Sequence, residues 1–528
     1  MKKIILALVV ILFSNSFYAQ AVDAEGDIPL DVNLTEVYKD KKKFTGLAFS
    51  TKDGNDGIIL GRRYKKGYYI EHYDKNLKLI KNYDLVIKEK KPVFRPVGAY
   101  ENTKKKTTID EAFLSDGKLC LIEHKYNRKE KAIEYYVHTS PLDKFSFKRT
   151  LLLSVPFKNV EKNVFLNFKN TYDEDTYGDF TLSKNEKYIA FTIDMKDKDF
   201  EKHNIYVFDN SLNKIYETVF KRSIKDRKFR LQNVDIDEED GTLFLLGKSY
   251  TQEKKKDGGK YQYELYKING GTNQKLVFDS KDNYIGSLNT VVNNGEIFCV
   301  GFYSEKNDYR YKGLAHFGVD KNNMNLIKSV YSPFTEQFIQ DKYGKSKDKE
   351  LRNIDLKSIH ISDNNECILN AEEFYITSHY INSQNGGSWK YTYHFNDMIS
   401  AKFDATGNLL WARNINKKQE ASSYSPYLSF TTSYKNDKVY FFINCSDKIR
   451  RIRGDRLQFK GIKAKKSNLY AITLDKEGNY EYKKILDDKD SEVPFMVGRG
   501  IINNNEKDII FTGRRGNKKQ ALKITIPD

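Results

Sequence analysis

The chain has 528 residues, a length that by itself would suggest about three domains. Its net charge of +18 favours anionic partners, such as an acidic protein surface or an anionic polymer, although lysines scattered over turns are also explained by compositional bias. No nucleic-acid-binding module is recognisable, so nucleic acid is not a predicted partner.

The N-terminus has the layout of a secretory signal peptide. Two lysines precede an apolar run over residues 4–13, and small residues follow, so we expect a signal peptide over residues 1–20. This run is about half of the roughly 20 residues that a membrane-spanning helix needs, and no later stretch comes closer. The sequence therefore predicts an exported, soluble protein without a transmembrane segment. It is not expected to be a lipoprotein, because the first cysteine, Cys120, lies far beyond the cleavage region.

A two-part unit repeats eight times along the rest of the chain. Its first part is a polar turn that leads into an apolar strand, as in AFLSDGKLCLIE and IHISDNNECILN. Its second part is a strand that stops at an Asp-led turn, as in IYVFDNSLNKIY and AITLDKEGNYEY. Repetition of a four-stranded unit predicts an all-β fold, a β-propeller of about eight four-stranded blades, with seven possible.

The repeat also predicts the domain organisation. Because single blades cannot bury both of their faces, residues 21–528 are expected to form one β-propeller domain. The last repeat is one strand short, and residues 31–38 form an extended segment without a hairpin partner. We therefore expect the N-terminal strand to complete the last blade and to close the ring, which removes exposed sheet edges.

The regular turns explain residues that would otherwise suggest binding sites. Five aspartates each begin a short polar loop containing Asn or Gly, where an Asp side chain bonds its own backbone. They are Asp74, Asp209, Asp320, Asp404 and Asp475.

The four cysteines fall within or at the end of apolar strands of different repeats, too far apart for disulfides, so buried free thiols are predicted. No metal site is predicted, because no Cys-x-x-Cys pair exists and the acidic run at residues 235–240 misses the calcium-loop spacing.

The sixth repeat contains the most unusual segment, an aromatic loop over residues 372–397. Aromatic rings beside carboxylates can anchor a protein partner or stack on sugar rings. The predicted binding residues here are Glu372, Tyr375, Trp389, Tyr391 and Tyr393. The structural alternative is an extended hairpin whose alternating aromatic residues pack on the next blade. His379 and His394 would approach each other only if that hairpin folded back on itself.

The seventh repeat contains a basic loop over residues 446–467. A cluster of this density suits carboxylate or phosphate recognition, and an exposed solvated loop is the alternative. The predicted binding residues are Arg450, Arg451, Arg453 and Arg456. Long loops of successive blades are expected on one face of the ring, where binding sites tend to lie.

The sequence contains no catalytic or cofactor motif. It has no nucleophile elbow, zinc-protease helix, phosphate loop or dinucleotide fingerprint. Glu372 and Glu373 are adjacent, so they point to opposite faces of a strand and make a poor acid–base pair. We therefore predict no catalytic residue and no cofactor.

Residues 372–419 resemble a group of exported propeller-like proteins common in Bacteroidetes. These proteins carry a tyrosine-rich loop, an Asn-Asp pair, an Asp-x-x-Gly turn, a Trp and a Lys-x-Gln. The matching residues are Tyr391, Tyr393, Asn396, Asp397, Asp404, Gly407, Trp411, Lys417 and Gln419. The group is largely uncharacterised, so the resemblance implies a fold and a compartment rather than an activity.

These observations favour a non-enzymatic function. We expect a periplasmic propeller that acts as a protein-interaction module at the cell envelope, for example as an accessory or plug-like subunit of an outer-membrane secretion complex. The alternative is a carbohydrate-binding or carbohydrate-active propeller that uses the aromatic loop.

Overall fold

The computed structural model describes residues 24–40, 44–87, 108–127, 129–156, 178–225, 228–250, 261–279, 283–305, 310–345, 350–382, 386–454, 456–461, 467–503 and 506–528. The predicted signal peptide lies outside the described residues.

Three short strands begin the described chain, and four antiparallel sheets of four strands follow in chain order. The short strands are β1 (Ala24–Glu25), β2 (Asp31–Leu34) and β3 (Tyr38–Lys39). Sheet one contains β4 (Phe44–Lys52), β5 (Ile58–Tyr64), β6 (Gly67–Tyr73) and β7 (Leu79–Val86). Sheet two contains β8 (Thr108–Ser115), β9 (Lys118–Asn127), β10 (Ala132–Pro141) and β11 (Lys148–Pro156). Sheet three contains β12 (Asp179–Leu182), β13 (Tyr188–Asp194), β14 (Glu201–Asp209) and β15 (Lys214–Arg222). Sheet four contains β16 (Phe229–Ile236), β17 (Leu243–Tyr250), β18 (Tyr261–Asn269) and β19 (Thr272–Val277).

Four further sheets and one α-helix complete the described part of the chain. Sheet five contains β20 (Tyr284–Asn293), β21 (Glu296–Ser304), β22 (Gly313–Asp320) and β23 (Leu326–Pro333), and α1 (Glu336–Tyr343) follows it. Sheet six contains β24 (Ile354–Ile361), β25 (Cys367–Ile381), β26 (Ser388–Phe403) and β27 (Leu409–Ala421), with β30 (Arg450–Ile452) and β31 (Arg456–Lys460) added to its edge. Sheet seven contains β28 (Thr431–Lys435), β29 (Lys438–Cys445), β32 (Asn468–Leu474) and β33 (Tyr480–Leu486), beside which β1 pairs in parallel. Sheet eight contains β34 (Ile501–Ile502), β35 (Asp508–Arg515) and β36 (Lys518–Thr525), and a 3-10 turn at Val497–Arg499 precedes it.

Hydrophobic packing joins each sheet to its neighbours. Within the described ranges, seven hydrophobic clusters each connect two sheets that follow one another in the chain. An eighth cluster joins the last sheet to the first, through Ile510 and Ala521 on one side and Ile58 and Leu60 on the other. Four-stranded meanders that pack face to face in chain order have the architecture of a β-propeller, and the all-β prediction is confirmed.

The N-terminal strands cover the edge of sheet eight. Strand β2 pairs antiparallel with β36, from Asp31 opposite Thr525 to Leu34 opposite Leu522. Strand β3 pairs with the other end of β36. The backbone groups of β36 therefore bond to protein on both sides instead of presenting a free edge.

The predicted turn and thiol chemistry is confirmed. Each of the five turn aspartates accepts hydrogen bonds from backbone N–H groups two residues or more along its own loop. All four cysteines are free and buried.

Helix α1 lies in the connection between sheets five and six. Its N-cap is Thr335, whose hydroxyl accepts a hydrogen bond from the Phe338 N–H, and its C-cap is Gly344 in a left-handed conformation. Phe338 is fully buried between sheets five and six. In the part of the chain that is described, no helix has the length and apolar character needed to cross a membrane.

Candidate functional site

The predicted aromatic loop is an extended β-hairpin that rises out of sheet six. Strands β25 and β26 have 15 and 16 residues and pair from Cys367 opposite Phe403 to Ile381 opposite Ser388. Strand β27 accompanies β26 only as far as Tyr393, which lies opposite Ala421. Beyond that point the hairpin has two strands and leaves the sheet.

Three aromatic side chains lie together at the end of this hairpin, and we call Tyr380, Trp389 and Tyr391 the aromatic tip. Tyr380 is directly opposite Trp389, with ring centroids 5.3 Å apart and an edge-to-face angle of 62°. Their exposed fractions are 52%, 58% and 51% respectively. A side chain at Gly387 would overlap the Tyr380 ring, so the glycine is what permits this ring position.

One face of the hairpin is graded from buried to exposed. Side chains two residues apart share a face of a strand, so Phe395, Tyr393, Tyr391 and Trp389 all lie on the same face. Phe395 is fully buried, Tyr393 is partly buried, and the last two are exposed. The buried end anchors the hairpin in the sheet, and the exposed end presents rings to the surroundings.

Tyr375 lies on the opposite face and has an internal role. Its ring stacks on His394 with centroids 4.4 Å apart, and its hydroxyl accepts a hydrogen bond from the Asn396 amide. His394 also contacts Glu420, 3.3 Å from its Nδ1. His379 is opposite Lys390, so the two histidines lie four residues apart along the hairpin, about 13 Å. They do not form a metal site together.

Glu372 is buried beneath the hairpin, far from the aromatic tip in the strand register. It has no exposed surface, and its carboxylate accepts hydrogen bonds from Lys417 Nζ at 2.7 Å and from the Ser429 hydroxyl at 2.7 Å. Lys357 Nζ lies 3.1 Å from the same carboxylate. Burial lowers the pKa of Lys357, but attraction to Glu372 and Asp355 outweighs burial and raises it above the usual range. Glu372 is therefore part of an internal ion network and is not placed to accept a hydrogen bond from a surface ligand.

Several residues that carry the sequence resemblance belong to the same internal network. The Asp397 carboxylate accepts hydrogen bonds from Lys342 Nζ, the Asn414 amide and the Lys417 N–H. Gln419 donates its amide to the carbonyl of Asn444 in β29. The Gln419 contact joins sheet six to sheet seven, and the Asp397 contacts join the base of the hairpin to β27 and to helix α1.

The predicted basic loop is not a loop throughout, and this expectation is corrected. Strand β31 pairs in parallel with β27, from Asn416 opposite Gln458 to Lys418 opposite Lys460, and β30 pairs with β31. The segment thus forms a two-stranded ribbon that widens sheet six, because β27 offers an unpaired edge on its outer side.

The four predicted arginines of this ribbon have different roles. Arg450, Arg451 and Arg453 are exposed. The Arg456 guanidinium donates hydrogen bonds to the carbonyls of Arg453 and Lys342, and the second of these lies in the last turn of α1. Partial burial lowers its pKa from the ordinary value. Arg456 therefore clamps the ribbon to the helix, and the other three arginines remain available on the surface.

The candidate surface therefore consists of the aromatic tip and the three exposed arginines, all on sheet six. Tyr380 was missed as a site residue by sequence analysis, and its position opposite Trp389 in the hairpin is the signal that identifies it. Outside this surface, Asp194, Glu201 and His203 of sheet three place metal-binding atoms within 4.8 Å of one another.

Comparison with known proteins gives similarity of fold only. No protein-family model matches the chain, and no curated protein matches it. The β-propeller domain of the trilobed protease from Pyrococcus furiosus is 9% identical, over 80% of this chain and 98% of that domain, with a TM-score of 0.34. Acylaminoacyl peptidase from Pyrococcus horikoshii is 10% identical, over 78% of this chain and 49% of the peptidase, with a TM-score of 0.36. Prolyl oligopeptidase B from Galerina marginata is 9% identical, over 89% of this chain and 55% of that enzyme, with a TM-score of 0.36.

The chain spans about half the length of those two peptidases. Because every one of these TM-scores is below 0.5, the fold assignment rests on the strand pairing and packing of the chain itself. That pairing and packing assign an all-β, propeller-type architecture.

Proposed function

We propose that this protein is an exported, non-enzymatic β-propeller that acts as a protein-interaction module at the cell envelope. In this proposal the eight sheets are eight blades of one ring, which the N-terminal strand β2 closes by pairing with β36. The cluster between sheets eight and one supports the closed ring. An accessory or plug-like role in an outer-membrane secretion complex is the form of this function that we favour.

The aromatic tip is the observation that carries the proposal. A soluble protein gains free energy by burying aromatic side chains, yet here three of them are more than half exposed at the end of a rigid hairpin. Tyrosine and tryptophan are the residues that most often dominate binding energy at protein interfaces. The tip therefore has the composition and the exposure of an interface anchor.

Charge specifies the chemistry of the partner. The chain carries a net charge of +18, and Arg450, Arg451 and Arg453 are exposed on the same sheet as the tip. Charges at the rim of an interface steer association and select a partner of opposite sign. The partner is thus an envelope protein with an apolar pocket for the tip and an acidic surface beside it.

The test uses envelope extracts and tip variants of the full chain. The double variant Trp389→Ala/Tyr391→Ala is compared with Leu326→Ala, which removes an exposed apolar side chain from sheet five. The protein that the wild-type chain captures from the envelope extract is purified, and its Kd for the wild type and for each variant is measured. We expect the tip variant to bind about 30-fold or more weakly, equivalent to about 2 kcal/mol, and the control to bind as the wild type does.

Salt dependence and sugar binding distinguish this function from its rival. Raising the salt concentration should weaken the wild-type complex, and Arg450→Ala/Arg451→Ala should reduce that dependence. Equal binding by the tip variant and the wild type would refute the proposal. Binding of the wild type to a glycan array, lost in Trp389→Ala, would instead assign the tip to carbohydrate recognition.

A further inference from the structure

Three side chains with metal-binding atoms converge at one end of sheet three, and we call Asp194, Glu201 and His203 the sheet-three cluster. Strand β13 ends at Asp194, which lies directly opposite His203 in β14. Residues opposite each other share a face of the sheet, and Glu201 shares that face because it is two residues from His203. The hairpin register therefore brings all three onto one face, with the donor atoms within 4.8 Å of one another.

Two members of the cluster are buried and the third is partly buried. Glu201 and His203 are almost completely buried, and His203 Nε2 lies 2.6 Å from a Glu201 carboxylate oxygen. Asp194 adds a second carboxylate at the same place. Carboxylate oxygens and an imidazole nitrogen held this close together are the kinds of atoms that a divalent transition-metal ion binds.

A second observation at the cluster points to a ligand. Thr192 precedes Asp194 by two residues on β13, so it shares the same face of the sheet. Its hydroxyl is buried and has no hydrogen-bond partner among the described residues. A buried polar group left without a partner costs about 1–3 kcal/mol. A metal-bound water beside Thr192 would satisfy this hydroxyl.

Neighbouring sheets show how a purely structural carboxylate is held. In sheet two the Arg149 guanidinium donates two hydrogen bonds of 2.8 Å to Glu123, which also contacts His138. In sheet four Arg222 makes the same kind of paired contact with Glu264. Both carboxylates belong to arginine ion pairs, so sheet two offers a buried histidine beside a paired carboxylate for comparison with the sheet-three cluster.

We propose that Asp194, Glu201 and His203 bind a divalent transition-metal ion, and that Zn²⁺ is the best chemical match. Carboxylate oxygens and an imidazole nitrogen are ordinary zinc ligands, at about 2.0–2.2 Å from the ion. Calcium and magnesium prefer oxygen ligands throughout, so the imidazole disfavours both. Three protein ligands leave a fourth position for water.

Metal binding to the full chain tests this site directly. The protein is stripped of metal with a chelator, titrated calorimetrically with Zn²⁺, Mn²⁺ and Ca²⁺, and analysed for metal content after removal of excess ion. We expect one Zn²⁺ per chain, with binding weakened at least 10-fold in Asp194→Asn and in His203→Ala. The matched control is His138→Ala, which removes a buried histidine beside the arginine-paired Glu123 of sheet two and should bind Zn²⁺ as the wild type does.

The atoms that bind the metal can also be identified in the wild-type protein, so this measurement does not depend on whether a variant folds. X-ray absorption of the zinc-loaded wild type should show only nitrogen and oxygen ligands, including one imidazole. Failure to retain Zn²⁺, sulfur ligation by any of the four cysteines, or unchanged binding in both cluster variants would each overturn the proposal.

Discussion

A buried ion pair constrains how the strands of sheet six pack. The side chains of Lys417 and Glu372 have no exposed surface and lie 2.7 Å apart. Removing one partner of such a pair leaves an uncompensated buried charge, which typically costs about 3–5 kcal/mol. An arrangement of sheet six that separated these two groups would carry this cost, and neither side chain is exposed to a ligand.

A buried histidine makes the stability of the fold depend on pH. His316 in β22 is fully buried, with ring centroids 6.0 Å from Phe298 and 5.3 Å from Phe403. Burial lowers its pKa to about 4, and Lys328 acts in the same direction while Asp404 opposes it. The folded protein therefore holds the neutral imidazole at pH values where the unfolded chain binds a proton.

The sign of this pH dependence follows from the lowered pKa. The stabilisation is complete above the unfolded pKa of about 6.5 and is lost as the pH falls towards 4. We expect His316 to account for a loss of about 2 kcal/mol in the free energy of unfolding between pH 7 and pH 5. Urea unfolding at both pH values should show this loss reduced by the same amount in His316→Leu. An identical loss in the variant and the wild type would contradict the assignment.

The role of a residue was predictable from the sequence where that role depends on neighbouring residues in the chain. The turn aspartates and the exposed aromatic residues follow from neighbouring residues and strand alternation. The burial of Glu372 does not, because its partner Lys417 lies 45 residues away and a β-bulge between Glu372 and Phe374 interrupts the alternation. Glu372 therefore lies apart from the aromatic residues with which its position in the sequence groups it.

At the scale of elements, strands and turns were predictable, and additions to the sheets were not. The basic ribbon joins β27 through only three parallel register pairs, which no local pattern indicates. Helix α1 has a local signal in its caps, Thr335 and Gly344, but its eight residues bury only one short face against the sheets. Both elements come from the segments that interrupt the repeat, where periodicity gives no guidance.

The N-terminal strand provides an element-level prediction. Asn33 lies opposite Lys523 in the pairing of β2 with β36, a separation that a disulfide can bridge. We expect Asn33→Cys/Lys523→Cys to form a disulfide in the folded protein and to stabilise it by about 3 kcal/mol. The measurement is gel mobility without reductant, together with urea unfolding.

The matched control places the second cysteine out of register. Asn33→Cys/Lys518→Cys puts the two sulfur atoms about 16 Å apart along the strands, so it should stay reduced. Equal cross-linking in both variants, or none in either, would show that β2 does not hold this register.

At the scale of the whole molecule, the repeated sheets form a scaffold that carries one irregular surface, on sheet six. Each sheet packs on the next through a hydrophobic cluster, so the regular sheets form a scaffold in which little can move independently. Sheet six departs from this pattern, because β25 and β26 extend beyond it as a hairpin and the basic ribbon is added beside β27. A rigid scaffold with one projecting anchor suits the docking of a partner, since little order has to be gained on binding.

Contact between the aromatic tip and an acidic envelope protein is measured directly by photo-cross-linking in cells that make the protein. A photoreactive amino acid is placed at Ser378, which is exposed and lies directly opposite Tyr391, and at Ile327 on sheet five as an exposed control. We expect one cross-linked envelope protein from position 378, lost when Trp389 and Tyr391 are replaced by alanine, and no such product from position 327. The absence of a product at position 378, or the same product from both positions, would contradict this contact.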